Sequence, residues 1–172
     1  AVYIAQSSAG GTTGADCANA RTVSGTTWTA GNVYHVCGTL TSALTPNANG
    51  TSGAHISIVF EPAAKISMAV VPNSGAINLS SRSFIDVDGS RTAIIESTAN
   101  GTGLANHINS VGVRLDSAHD VTVHGFTIQN LFVNKCCSDG SQFGQGSYLL
   151  GSVSNLRFYD NLCIQEFSCV QW

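Results

Sequence analysis

Apolar residues in this chain fall in short alternating runs, at 56–60, 85–87 and 121–123, between clusters of Gly, Ser and Asn. The 3.6-residue spacing of an amphipathic helix is almost absent, so the pattern predicts an all-β chain. Three segments, 77–89, 113–125 and 148–160, superimpose without gaps at offsets of 36 (113 against 77) and 35 (148 against 113). In each, an apolar pair two residues apart is followed, six residues on, by a second such pair, which reads as strand, tight corner, strand. Inward columns are expected at Leu79/Leu115/Leu150, Ile85/Val121/Leu156 and Val87/Val123/Phe158. One coil cannot bury such a face alone, but coils stacked at the ~4.8 Å strand spacing make a continuous core.

The prediction is therefore a right-handed parallel β-helix, a β-solenoid, of about five coils. Earlier coils are expected around Val33 to Leu40 and Ile56 to Ala69, preceded by an N-terminal strand and cap over 1–32. Insertions near 45–54, 99–110 and 134–146 read as loops leaving the solenoid, where such folds place function. Ser81, Ser117 and Ser152 share a corner column and could form a hydroxyl ladder. A β-sandwich is the competitor, but its strands would alternate more evenly and lack matching corners.

Composition narrows the setting. A chain of 172 residues suits one domain. Charged residues are only 10 % of it, against roughly 25 % in ordinary soluble proteins. Seven Lys and Arg stand against ten Asp and Glu without runs, so nucleic acid and anionic membranes are set aside as partners. No apolar stretch approaches the roughly 20 residues of a membrane span. Six cysteines (Cys17, Cys37, Cys136, Cys137, Cys163 and Cys169) lack CxxC or Cys/His ligand spacing, so three disulfides and an oxidising compartment are expected. The start at Ala1, without Met or an apolar leader, reads as a mature secreted chain.

Four stretches carry a resemblance: Val2-Tyr3-Ile4-Ala5-Gln6, Gly14-Ala15-Asp16-Cys17-Ala18-Asn19-Ala20, Val36-Cys37-Gly38-Thr39 and Val59-Phe60-Glu61-Pro62-Ala63-Ala64-Lys65-Ile66-Ser67. They resemble the opening of secreted bacterial right-handed β-helix repeat proteins of the pectate-lyase-like superfamily, whose members are usually much longer. The resemblance implies that Cys17 and Cys37 staple an N-terminal cap to the first coil. Polysaccharide lyases and hydrolases on this fold work on an outward strand face with carboxylates, calcium and Arg or Lys.

The outward columns here read Asp86/Thr122/Arg157, Asp88/His124/Tyr159 and Asn78/Arg114/Leu149. Asp88, His124 and Arg157 are the catalytic candidates; the plainer reading of Asp88 with His124 is a cross-coil surface ion pair. Asp86 with Asp88, or Asp116 with Asp120, would suit calcium, but no stack of three carboxylates supports a site, and no cofactor is expected. Arg114 and Asp116 read as a solvated pair, and His107 and His119 as exposed polar residues. No GxSxG, no Ser/His/Asp order and no phosphate loop is present. Asn49, Asn78 and Asn100 begin glycosylation acceptor patterns. Adjacent Cys136 and Cys137 are each expected to pair with one of Cys163 and Cys169; a vicinal disulfide is the alternative.

The ends of a solenoid expose strand edges and core unless capped. Val2, Tyr3 and Ile4 at one end, and Phe167, Val170 and Trp172 at the other, are expected to cap it or to meet another copy head to tail. The leading expectation is a non-enzymatic extracellular structural protein that stacks into a filament or surface assembly. The alternatives are a module that binds or cleaves acidic polysaccharide, and the N-terminal part of a longer such enzyme.

Overall fold

The computed structural model describes residues 1–101, 104–131, 144–164 and 168–171, with backbone alone at 144–146. The chain winds as a parallel β-solenoid of about four turns, with three strand faces and almost no helix. The first face stacks Arg21–Thr22, Val2–Ala5, Val33–Val36, Ile56–Phe60, the leading arms of the long strands Ser83–Ser97 and His119–Gln129, and then Ser154–Tyr159. The second face stacks Thr39–Leu40, Lys65–Met68, the trailing arms of the two long strands, and Leu162–Ile164. The third runs through Ile77–Asn78, Ser110–Arg114, Gly144–Tyr148 and Ser168–Gln171. Five first-face rungs beyond residue 32 enclose about four turns, which reconciles the expected count of coils with the observed one.

Alternation sends every second side chain inward, as in Ile56–Phe60, where Ile56, Ile58 and Phe60 are fully buried. The column Tyr34/Ile58/Val87/Val123/Phe158 runs along the first face, beside Ile56/Ile85/Val121/Leu156, with the predicted register. Buried Tyr34 keeps its hydroxyl satisfied, donating to Thr27 O at 2.8 Å and accepting from Thr29 N at 2.7 Å. Among the described residues no helix is long and apolar enough to cross a membrane.

The third face departs from the gapless repeat. Ser147 pairs with Val113 and Tyr148 with Arg114, an offset of 34 (147 against 113), whereas beyond the corner Ser154 pairs with His119 at 35 (154 against 119). A one-residue slip exchanges the faces of a strand. Leu149, expected outside, therefore packs against the core, and Leu150, expected inside, is 57 % exposed. Tyr148, not Leu149, continues the outward Asn78/Arg114 column.

The corner column is Ser81/Ser117/Gly151, not Ser152. Ser81 N donates to Asp116 O, and one turn later Ser117 N makes the same step to Leu150 O. All three residues are left-handed, with φ of 58°, 53° and 80°. Gly meets that demand most cheaply, and a Cβ at Gly151 would lie 2.7 Å from Ser117 Oγ.

Among the described residues two disulfides are in place. Cys17–Cys37 ties a short 3₁₀ turn, Cys17–Asn19, to the first face. Cys163 pairs with Cys169, which overturns the expected links to Cys136 and Cys137; those two lie outside the described residues. The last turn brings the two Cα atoms to 5.6 Å, well within bridging distance, from strands on its second and third faces. Strand starts at Ser110 and at Gly144, so the expected loops 99–110 and 134–146 give way there. Ile4 is fully buried within a paired rung, whereas Val2, Tyr3 and Val170 are half-buried; Phe167 and Trp172 lie outside the described residues.

Candidate functional site

In three successive turns the second residue of the first-face rung is left-handed: Phe84, Asp120 and Asn155, with φ of 56°, 53° and 49°. For Phe this is a costly conformation, held by the stacking of the rungs on either side. Next to this column stands Asp86/Thr122/Arg157, in the predicted register. With Ser52 and His55 the two columns line a cleft of about 330 Å³.

The carboxylates of the cleft are engaged. His55 Nδ1 lies 2.8 Å from Asp86 Oδ2, and His119 Nδ1 lies 2.9 Å from Asp120 Oδ2. Hydrogen bonds from His119 and Asn155 hold the Asp120 carboxyl below the usual carboxylate range. The Phe84 ring stands between the two imidazoles, 5.6 Å from each centroid. Arg157 is exposed and makes no hydrogen bond or ion pair among the described residues.

The three catalytic candidates are split between neighbouring columns. Arg157 lines the cleft, while Asp88 and His124 sit one column over, with Asp88 Oδ1 3.6 Å from His124 Nδ1. Tyr159 stacks flat on His124, centroids 4.8 Å apart. This outer column runs on through Val59 and His35 to Tyr3, whose ring stacks on His35 at 4.6 Å. On the third face Arg114 is not solvated as expected. It donates to Asp116 Oδ2 at 2.6 Å and to Asn73 O at 3.0 Å and lies over the Tyr148 ring, and both partners of the ion pair are largely buried.

Among the described residues no group of three or more His, Cys, Asp or Glu is arranged to hold a metal ion. Of the acceptor asparagines, Asn100 is buried with its amide donating to Ile108 O and Ser110 Oγ, Asn78 accepts from Ser80 N, and Asn49 is exposed. Asp86, Asp88 and Asp120 each face an imidazole. Beside these pairs the cleft offers an apolar ring, small polar groups and one guanidinium without a partner among the described residues.

Sequence reasoning passed over His55, Phe84 and Asn155. Phe84, Asp120 and Asn155 do share a column of the repeat, but its members differ in chemistry and carry no common pattern. His55 precedes the repeat altogether. No protein-family model matches the sequence, and neither a curated protein nor a solved structure matches it.

Proposed function

We propose that this chain is an extracellular β-solenoid that holds acidic polysaccharide against its first face. The observation that carries the reading is Arg157, a guanidinium without a partner among the described residues, in a cleft walled by Phe84. Guanidinium matches a carboxylate bidentately, and the ring supplies apolar surface for the non-polar side of a sugar. Rungs spaced at ~4.8 Å continue the cleft wall along the axis, which suits a polymer better than a small molecule. The disulfides fit an oxidising compartment, and the likeness of residues 2–6, 14–20, 36–39 and 59–67 to secreted bacterial β-helix proteins points the same way.

Calorimetry with tetragalacturonate tests this. The wild-type chain is expected to bind, and Arg157→Gln to weaken binding by at least about tenfold, the scale of one charge-assisted hydrogen bond. Equal binding by both overturns the role of Arg157.

A second reading, end-to-end stacking of copies into a filament, is favoured by one observation. Leu156, Phe158 and Cys163 in the last turn are only half-buried, whereas Ile85, Val87, Val121 and Val123 in the same inward columns are at most 1 % exposed. Sedimentation across a hundredfold concentration range is expected to show growing assemblies; a monodisperse monomer throughout overturns this reading.

A further inference from the structure

We propose that the cleft is a pH gate, holding acidic polysaccharide when its histidines are protonated and releasing it when they are neutral. The inference rests on the binding reading above and adds its regulation. The elements around the cleft carry these titratable and charged groups: His55 just ahead of Ile56–Phe60; Arg82 just ahead of Ser83–Ser97, and Asp86, Asp88 and Arg91 on 83–91; His119, Asp120 and His124 on 119–124; Arg157 and Tyr159 on Ser154–Tyr159, and Asp160 just after it, paired with Arg91 at 2.7 Å. The segment 45–54 carries none.

Each of the three histidines stands against one carboxylate, at 2.8 Å for His55 and Asp86, 2.9 Å for His119 and Asp120, and 3.6 Å for His124 and Asp88. With the imidazoles of His55 and His119 neutral, the two carboxylates of the cleft, Asp86 and Asp120, face one guanidinium and the cleft repels an anion. With them protonated, two imidazoliums and the guanidinium face two carboxylates, and the net sign reverses. Histidine is the side chain whose charge changes between about pH 5 and 8.

The charge on the ligand does not cancel that change. Sugar carboxyls ionise near pH 4 and stay negative across the window. Asp120, whose carboxyl is stabilised as the anion by His119 and Asn155, also stays charged. The Phe84 ring packs against both His55 and His119, 5.6 Å from each centroid, and so ties the two histidines to one cleft wall. Protonation and anion binding therefore favour each other, and affinity rises as pH falls.

The experiment is calorimetry of the full chain at pH 5 and pH 8, with tetragalacturonate and with its carboxyl-reduced, uncharged counterpart. The acidic tetramer is expected to bind at least about tenfold tighter at pH 5, and the neutral one equally at both. His55→Gln with His119→Gln is expected to remove most of the pH difference, and each single variant part of it. His107→Gln, on the 99–109 loop away from the cleft, should leave the profile unchanged. Binding of the acidic tetramer with one affinity at both pH values overturns the gate and leaves the binding reading standing. No binding of either tetramer at either pH overturns both.

Discussion

Glu96 shows how much a single outward residue can do on this scaffold. On the second face it accepts hydrogen bonds from Lys65 at 2.9 Å, Ser67 at 2.8 Å and Gln129 at 2.9 Å, side chains of the turns on either side. Burial pushes its carboxyl up, but the bonds from Lys65, Gln129 and Ser67 outweigh burial and hold it below the usual range. A carboxyl whose folded pKa lies below its unfolded value of about 4.3 stabilises the fold fully above that pH. That stability is lost as pH falls through the folded value. Glu96→Gln is therefore expected to cost about 1–2 kcal/mol at pH 7 and clearly less at pH 3, by urea unfolding at both. The same cost at both pH values would show that the charge of Glu96 contributes nothing.

At the scale of the element, the strands could be read from the sequence where both of their faces were patterned. Ile85/Val121/Leu156 and Val87/Val123/Phe158 are apolar between polar neighbours, and the structure pairs them as expected. The slip came where the pattern loses contrast. In the stretch 148–150 Tyr148, Leu149 and Leu150 are all apolar or aromatic, so either register buries a leucine, and only the left-handed corner selects Gly151 over Ser152. Conformation of that kind is a property of the stacked corner, not of local composition. The same limit hid the candidate site. Asp86, Thr122 and Arg157 could be placed in a column by counting, but the cleft also needs left-handed Phe84 and Asn155 and a histidine from an earlier turn. The Cys163–Cys169 link was missed for a related reason: the strands Leu162–Ile164 and Ser168–Gln171 hold these two Cα atoms 5.6 Å apart, which sequence separation does not reveal.

For the whole molecule, stability should vary with position along the axis, because each turn of a solenoid touches only its neighbours. Phe60 lies in an interior turn, fully buried and edge-on to Phe126 at 5.1 Å. Its neighbours above and below close around it, so Phe60→Ala leaves a cavity that the rungs cannot collapse to fill, and about 3–5 kcal/mol is expected to be lost. Among the described residues Phe158 has a rung partner in Val123 alone, and it is half-buried. Truncating it removes less buried surface and leaves an open notch in place of a cavity, so Phe158→Ala is expected to cost about 1–2 kcal/mol. Chemical unfolding of both variants at low protein concentration measures the difference. Repeating it at high concentration connects it to assembly: if copies stack on the last turn, the Phe158→Ala cost should rise toward that of Phe60→Ala as the turn becomes interior, because binding to the folded form alone adds to its stability. A Phe158→Ala cost that matches Phe60→Ala already in the dilute monomer would show that the last turn is covered from within the chain, and the stacking surface would be lost with it.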